Sequence, residues 1–368
     1  MAKVDQVTRR RIMRTGLTAL DPDRACPGFV LYSCNGAGDS VYLIDMEGRE
    51  VHRWRTPLPP RYGYLLPNGN LFVLLKTGAD TGPLWPAWPT HQTGFMAEMD
   101  WEGRVIWQHE DPYQHHDARR TASGGAIYLT VERMPDELAA RVKGGSPKRK
   151  PGPMWADVII EVDASGNRVW EWRAVDHLDP ESHLLEQGNA GEEWTHGNTL
   201  APLEGDRVLV SFRNISTVAI IDKAADRISW SLGDDVLAQQ HDANMLPNGN
   251  VLIFDNGANR KHLAPGFSRV IEVNPAANSI VWEYRDSPAT SFFSPNISGA
   301  RRLPNGNTLI TEGRFGRMFQ VTPEGETVWE YINPYFLPMS SDGAVHNAVF
   351  RATHYLPSDL AGRIGVGG

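Results

Sequence analysis

The sequence predicts an all-β protein, a six-bladed β-propeller with four antiparallel strands in each blade. Two short patterns recur along the chain and lead to this prediction. One is an apolar strand, a turn and a second strand centred on tryptophan; the other is a hairpin built on a Pro-Asn-Gly-Asn turn. When the two patterns alternate they make a unit of four antiparallel strands, and about six such units fit the chain.

The positions of the two patterns define the blades. The tryptophan pattern occurs at 41–54, 96–107, 158–170, 218–230, 270–282 and 318–329. Close copies of the hairpin turn begin at Pro67, Pro247 and Pro304, and weaker copies begin at Ala122 and Pro202. One equivalent position in five blades holds Trp107, Trp170, Trp230, Trp282 and Trp329. We expect these five rings to pack between neighbouring blades rather than to contact substrate.

The ring is predicted to close through an N-terminal strand. The last unit ends near Phe350 without a clear fourth strand, and the apolar segment 28–32 precedes the first complete unit. We expect that segment to complete the last blade, because a closed ring leaves no sheet edge exposed. The predicted organisation is an N-terminal extension at 1–27, the propeller at 28–357 and a C-terminal tail at 358–368.

Composition excludes several classes of partner. The net charge of −8 provides no electrostatic footprint for nucleic acid or an anionic membrane. Only two cysteines are present, Cys26 and Cys34, which fits a reducing compartment better than a disulfide framework. Three arginines at 9–11 are followed by no apolar segment of the kind found in export signals. We therefore expect a cytoplasmic protein without nucleic-acid or membrane partners.

Unusual residues collect at one position of the repeat. Six residues before the proline position of each hairpin turn, or at the aligned position of the last blade, are Arg61, His116, His196, His241, Ser298 and His346. Equivalent positions of a propeller lie on a ring around its axis, so we expect these side chains to face one another in the central channel. A ring of titratable groups in a cleft indicates a functional site. His115 directly precedes His116, so the alignment leaves open which of the two histidines occupies this position in the second blade.

Two further polar residues lie close to this ring in sequence. Arg213 ends the strand after the His196 hairpin and would supply a permanent positive charge shaped for an oxyanion. A surface salt bridge is the alternative role for this arginine. Asn244 follows His241 and is a candidate for substrate binding, together with Arg61, Ser298 and His346.

Three long connections are candidates to cover one face of the ring. The segment 84–89 is aromatic, 143–155 is basic and 176–194 is acidic. Trp85 and Trp88 in the first connection are positioned to stack on an aromatic substrate or to anchor the loop.

Four short segments are distinctive: WTHGN at 194–198, SFRN at 211–214, QHD at 240–242 and FDNG at 254–257. Most specifically at these segments, and through nearly all of its length from Tyr42 to Ala352, the chain resembles the aryl-sulfate sulfotransferase family. The resemblance implies a six-bladed propeller, in agreement with the repeat count. It also implies an enzyme that moves a sulfuryl group from one phenol ester to another phenol without a nucleotide donor. Consistent with this, the sequence has no Gly-x-x-x-x-Gly-Lys-Ser/Thr phosphate loop.

The resemblance also assigns roles to residues of the ring. The transiently sulfated histidine of the family matches His241, the supporting histidine and arginine match His196 and Arg213, and a further histidine matches His116. Exported members of the family have an additional N-terminal domain and a disulfide. This sequence shows neither, so we expect a cytoplasmic branch acting on a small aromatic substrate with no cofactor.

Two other functions remain open from the sequence. The first is a lyase or hydrolase of an aromatic or other small metabolite, with a divalent transition metal held by the histidines at 116, 196, 241 and 346. In that case Asp117 and Asp242 are candidates to orient the metal-bound rings from the second shell. The second is a binding or scaffold propeller without chemistry.

Overall fold

A computed structural model describes residues 14–36, 38–77, 84–85, 93–150, 152–189, 191–260, 266–338, 345–360 and 362–364. In these residues the chain forms six four-stranded antiparallel blades arranged as a six-bladed β-propeller, which confirms the predicted fold. The innermost strands of neighbouring blades contact one another around the central axis. No helix in this part of the chain is both long and apolar enough to cross a membrane.

Strands are numbered in chain order, and each blade is given from the axis outward. Blade 1 contains β5 (Pro60–Leu65), β6 (Leu71–Lys76), β7 (Thr93–Met99) and β8 (Val105–Glu110). Blade 2 contains β9 (Ala118–Arg120), β10 (Ala126–Arg133), β11 (Trp155–Val162) and β12 (Arg168–Arg173). Blade 3 contains β13 (Gly197–Leu203), β14 (Arg207–Phe212), β15 (Thr217–Asp222) and β16 (Arg227–Leu232).

The remaining blades follow the same order. Blade 4 contains β17 (His241–Met245), β18 (Val251–Asp255), β19 (Arg269–Asn274) and β20 (Ser279–Tyr284). Blade 5 contains β21 (Gly299–Arg302), β22 (Thr308–Glu312), β23 (Arg317–Val321) and β24 (Thr327–Ile332). Blade 6 contains β27 (Val349–Tyr355), β2 (Phe29–Cys34), β3 (Ser40–Asp45) and β4 (Glu50–Arg55). The short elements are β1 (Gly16–Leu20), β25 (Leu337–Pro338), β26 (Val345–His346), and helices α1 (Asp136–Arg141) and α2 (Ala174–His177).

Blade 6 closes the ring, as the sequence predicted. Its innermost strand β27 comes from the C-terminal end of the chain and pairs with β2, whose register places Phe29 opposite Tyr355. The other three strands of this blade come from the N-terminal end. Strand β1, which lies within the predicted N-terminal extension, pairs with β24 and adds a fifth strand to blade 5.

The hydrophobic core lies between the blades. The second strand of each blade is apolar and almost wholly buried, as in β18, because neighbouring blades cover both of its faces. An outermost strand such as β16 alternates exposed and half-buried residues, because only one of its faces is covered.

The Pro-Asn-Gly-Asn turns close the inner hairpins with three-residue loops. In blade 1 the Leu66 N–H donates to Asn70 O at 2.8 Å, and Gly69 has a φ of 80°, a conformation that glycine adopts without strain. The Asn70 side chain then donates from Nδ2 to Glu98 Oε1 on β7 at 2.7 Å, which ties the turn to its own blade.

The repeated tryptophans join adjacent blades. The indole N–H groups of Trp107, Trp282 and Trp329 each donate to a backbone carbonyl in the turn of the next blade, at Ala164, Pro323 and Met46. Trp54 makes the same kind of bond to Asp100 O at 3.0 Å. These bonds confirm the predicted packing role at the positions they involve.

Arg351 of β27 lies fully buried at the axis and joins four blades. Its Nη1 is 2.9 Å from Asp117 Oδ2 of blade 2 and 3.3 Å from Asp242 Oδ1 of blade 4. Its Nη2 donates to Asn198 O of blade 3 at 2.8 Å. Burial alone would raise the pKa of Asp242, but Arg301 and Arg351 outweigh it and lower that pKa. The inner strands are therefore held together by a buried network of charges.

Replacing Arg351 tests this network. We expect Arg351→Met to lower the free energy of unfolding by about 3 kcal/mol or more, because it leaves two buried carboxylates short of a cation. Denaturant unfolding measures the loss. The matched control is Arg55→Met, which breaks the exposed Arg55–Asp39 pair and should cost less than about 1 kcal/mol. Equal losses in the two variants would contradict a structural role for the axial arginine.

Candidate active site

Three histidines meet where the innermost strands begin. His241 opens β17, His196 immediately precedes β13, and His116 lies two residues before β9. The second strand of each blade runs antiparallel to the first, so its final residues return to the same end of the channel. Arg213 after β14 and Asn256 after β18 are placed there in this way.

The backbone at these strand beginnings adopts an unusual conformation. His116 and His196 have φ values of 55° and 56°, and Asp242, next to His241, has a φ of 53°. β-Bulges lie at the same places in β13 and β17. Left-handed conformations are uncommon for residues with a side chain and tend to occur at functional sites, where surrounding structure maintains them. The geometry therefore supports a functional role for this end of the channel.

The histidine rings form one cluster. The ring centroids of His116 and His196 are 4.7 Å apart in an edge-to-face arrangement. His241 belongs to the same cluster, because the charges of Arg213 and His196 both act on it. His115 also joins the cluster, since its Nδ1 lies 2.8 Å from Nδ1 of His116. Both members of the pair that was ambiguous in sequence therefore reach the site.

The hydrogen bonds around His241 define its tautomer. The Asn256 Nδ2 donates to Ser294 O at 2.7 Å and to Ile297 O at 3.0 Å, so the amide oxygen of Asn256 faces the histidine. His241 Nδ1 lies 2.7 Å from that oxygen and must carry the proton of the bond. His241 Nε2 then holds the lone pair, which accepts the Ile297 N–H at 3.2 Å.

His241 is neutral at neutral pH. Burial lowers its pKa well below the ordinary value, and the positive charge of Arg213 lowers it further. The hydrogen bond to Asn256 acts in the opposite direction but does not offset them. The site thus contains an imidazole that carries a lone pair beside a cation.

Among the charged groups that lower the pKa of His241, Arg213 has the largest effect. Its Nη1 donates to Asn214 Oδ1 at 3.0 Å and its Nη2 to Gln239 Oε1 at 2.9 Å, which orient the guanidinium. Burial lowers the pKa of Arg213 to about 10, so the group stays charged at neutral pH. Its Nε has no hydrogen-bond partner among the residues that the structure describes. Arg213 therefore takes part in a buried polar network and not in a surface salt bridge.

His196 is paired directly with a carboxylate. Its Nδ1 lies 2.5 Å from Glu193 Oε2. Burial alone would raise the pKa of Glu193, but the charge of His196 and the hydrogen bond from it outweigh burial and lower that pKa. Trp85 is buried against the same carboxylate and donates from Nε1 to Glu193 Oε1 at 3.3 Å.

The long connections bring Glu193 to this position. The Trp155 N–H donates to Glu192 O at 3.0 Å, and the Trp194 N–H donates to Trp155 O at 2.8 Å. The second and third connections predicted from the sequence thus lie against each other beside the site. Trp88 of the first connection lies outside the described residues.

The other predicted site residues lie around the cluster or away from it. The Arg61 guanidinium is 5.1 Å from the centre of the Phe350 ring, and the centroid of the same ring lies 6.1 Å from that of His116. Burial and the charge of Arg351 lower the pKa of Arg61 to about 10. The surroundings of His346 are different and include two cations. Burial and the charges of Arg314 and Lys76 lower its pKa.

Ser298 and Asn244 hold protein groups together. The Ser298 hydroxyl donates to Ser294 Oγ at 2.9 Å and accepts the Gly313 N–H at 3.0 Å. The Asn244 side chain donates to three backbone carbonyls, including Ala300 O at 3.1 Å. Both side chains are engaged in positioning neighbouring strands and loops.

The carboxylates beside the histidines are not the ones considered from the sequence. Asp117 and Asp242 contact Arg119, Arg301 and Arg351, not the imidazoles. Each follows a histidine by one position, but its side chain is held by these arginines and not by the rings.

Asp157 and Glu193 lie beside the histidine rings, where Asp117 and Asp242 were expected. Asp157 Oδ1 lies 3.2 Å from His115 Nε2. Asp157 is in the third strand of its blade and carries no mark in the sequence, whereas Glu193 lies three residues before His196.

The described residues contain no set of three or more His, Cys, Asp or Glu side chains arranged to hold a metal ion. The ring nitrogens Nδ1 of His116, His196 and His241 instead face His115, Glu193 and Asn256.

Comparison with known proteins identifies a family. The model of the arylsulfotransferase family (ASST) matches residues 84–334, a segment that includes all three clustered histidines and Arg213. No curated protein sequence matches the chain.

Solved structures share the fold. A protein of unknown function from Bacteroides caccae is 13% identical, with a TM-score of 0.54 over 89% of this chain and 99% of its own. A streptogramin B lyase is 11% identical, with a TM-score of 0.48 over 93% of both chains. Hydrazine synthase from Kuenenia stuttgartiensis is 13% identical, with a TM-score of 0.45 over 78% of this chain and 71% of its own. At 13% identity the likeness to the Bacteroides caccae protein concerns the fold and not the activity.

The effect of Arg213 on His241 can be measured directly. We expect Arg213→Gln to raise the pKa of His241, because a neutral side chain no longer disfavours the imidazolium. Histidine side-chain NMR signals followed through a pH titration report the shift. Arg207→Gln, at the other end of β14, is the control and should leave the titration unchanged. A His241 titration identical in all three proteins would show that Arg213 does not act on this ring.

Proposed function

The chain belongs to the arylsulfotransferase family, and we propose that it transfers a sulfuryl group from an aryl sulfate to a phenol through a covalent intermediate on His241. The observation that carries the proposal is the state of this ring: a buried neutral imidazole with its lone pair on Nε2, next to the permanent charge of Arg213. A nucleophile and a cation at one site suit an electrophile that carries negative charge.

The first half-reaction forms the intermediate. His241 Nε2 attacks sulfur and the bond from sulfur to the phenolic oxygen breaks, so that the leaving phenol departs and the sulfuryl group stays on nitrogen. Asn256 stabilises the positive charge that develops on the ring, because it accepts the Nδ1 proton. The Ile297 N–H, a long contact on the attacking lone pair, is displaced when sulfur approaches.

Arg213 and His196 stabilise the sulfonate oxygens as charge moves onto them. The Nε proton of Arg213 is available for an anion, while its two Nη groups remain bound to protein. His196 has Glu193 against Nδ1, which orients the ring and turns Nε2 to the opposite side. Together these groups supply the preorganised positive field that group transfer of an anion requires.

The second half-reaction returns the sulfuryl group to an oxygen. The acceptor phenol loses its proton as its oxygen attacks sulfur, and the bond between sulfur and His241 Nε2 breaks. A neighbouring histidine is needed to give a proton to the leaving phenolate and to take one from the acceptor. His116, which lies in contact with His196, is the residue proposed for this task.

A burst experiment tests the covalent step. With 4-nitrophenyl sulfate and no acceptor, we expect one equivalent of 4-nitrophenolate to be released quickly and release then to slow. Protein quenched at that stage should carry a sulfuryl group on His241, detectable as a mass increase on its peptide. His241→Asn should abolish the burst and reduce turnover by roughly 10³-fold or more, since the nucleophile is lost.

The controls separate this function from its alternatives. His183→Asn removes a histidine whose ring only contacts Asp179 O and Ser182, and it should keep the full burst. Addition of phenol should restore continuous turnover and yield phenyl sulfate. Steady release without an acceptor would favour a hydrolase, and release by His241→Asn at the normal rate would remove this residue as the nucleophile.

A further inference from the structure

We infer that His115 and Asp157 are positioning residues of this reaction, which fix His116 in the tautomer whose Nε2 exchanges a proton with the phenolic oxygen. The inference rests on the proposed function and extends it. It starts from a chain of three buried groups, in which Asp157 contacts His115 and His115 contacts His116.

Asp157 begins the chain as an ionised acceptor. Both of its oxygens accept the Gly197 N–H at 2.8 Å, and Oδ2 accepts a short hydrogen bond from the Thr195 hydroxyl. Burial alone would raise the pKa of Asp157, but the hydrogen bond and charge of His115 and these donors outweigh it and lower that pKa. Position 197 must be glycine for this approach, because a Cβ there would overlap Asp157 Oδ1.

The carboxylate determines the tautomer of His115. His115 Nε2 lies 3.2 Å from Asp157 Oδ1, and this contact with an ionised carboxylate favours a proton on that nitrogen. In the neutral ring the other nitrogen, Nδ1, then holds the lone pair. That nitrogen is the one that faces His116.

The contact between the two imidazoles sets the second tautomer. The nitrogens Nδ1 of His115 and His116 are 2.8 Å apart, a hydrogen-bond distance that has room for one proton. Because His115 offers a lone pair, the proton belongs to His116. His116 Nε2 is then the atom of that ring at which a proton is gained and lost.

Burial makes this arrangement persistent. His115 and Asp157 are each 1% exposed and His116 is 3% exposed, so water does not compete for their hydrogen bonds. The Trp85 ring covers His115, with 6.3 Å between centroids. The positive φ of His116 aims its ring at His115 on one side and His196 on the other.

The two neighbouring histidines thus have different supports. His196 contacts a carboxylate directly, which suits a ring that remains charged against the sulfonate. His116 contacts a carboxylate only through the imidazole of His115, which suits a ring that changes its protonation state during the reaction. Neighbouring titratable groups with unlike surroundings are how one site separates an electrostatic role from an acid–base role.

Each half-reaction then moves one proton at His116. His116 begins this half-reaction as the imidazolium, and as the aryl ester bond breaks its Nε2 proton passes to the phenolic oxygen of the donor while the neutral ring keeps its proton on Nδ1. As the acceptor attacks, its hydroxyl proton passes to His116 Nε2, so the ring returns to its starting state. His115 and Asp157 exchange no proton with substrate.

The leaving group provides the test. We expect His115→Gln to slow the burst with phenyl sulfate by roughly 10²-fold, because the strongly basic phenolate leaves slowly without a proton. With 4-nitrophenyl sulfate, whose phenolate leaves unaided, the same variant should lose less than about tenfold. His109→Gln, a histidine of the same blade that contacts Tyr128, is the matched control and should slow neither donor.

The outcomes separate the inference from the function on which it rests. A normal burst in the unmodified protein, with equal losses for both donors in His115→Gln, overturns the positioning role alone. Absence of a burst in the unmodified protein overturns the proposed function and the inference together. A selective loss with phenyl sulfate supports both.

Asp157→Asn gives a second and independent measurement. Its amide can donate to His115 Nε2, which reverses the tautomer of His115 and then that of His116. In the neutral form of the ring, side-chain ¹H–¹⁵N spectra should show His116 protonated on Nδ1 in the unmodified protein and on Nε2 in the variant. An unmodified protein with His116 protonated on Nε2 only would overturn the inference, whatever the activity of either variant.

Discussion

The buried guanidinium of Arg351 is the contact on which the arrangement of the site depends. Its Nη1 contacts both Asp117 of blade 2 and Asp242 of blade 4. Each of these aspartates directly follows a clustered histidine, so the network that fixes the carboxylates also fixes the backbone from which His116 and His241 project. The positive charge below the cluster also contributes to keeping His241 neutral. Stability of the ring and geometry of the site are therefore consequences of the same interaction.

The three clustered histidines differ in what contacts Nδ1. An amide oxygen of Asn256 holds the proton of His241, a carboxylate of Glu193 faces His196, and the imidazole of His115 faces His116. These partners favour a neutral nucleophile, a charged ring and a ring that exchanges protons, respectively. Identical side chains acquire distinct tasks because the surrounding blades supply different acceptors.

Some of the supporting groups come from a different blade than the residue they support. Asp157 of blade 2 accepts the Thr195 hydroxyl and the Gly197 N–H on the two sides of His196, and Ile297, which precedes blade 5, reaches His241 of blade 4. The outer contacts follow the same principle, since the indole of Trp107 reaches the turn of the next blade. Such contacts form readily in a propeller, because each blade packs against two neighbours and a short turn can contact both its own sheet and the adjacent one.

The sequence by itself determined the fold, its closure by segment 28–32 and the histidines that meet at one end of the channel. These depend on periodicity, which is local: a repeated strand pattern places equivalent residues at equivalent heights around an axis. The partners of the histidines could not be derived in this way. Asp157 carries no mark in its strand, and the adjacent Asp117 and Asp242 were considered in its place. Only the tertiary structure decided this, because the axial arginine holds those aspartates and the rings contact carboxylates from elsewhere in the chain.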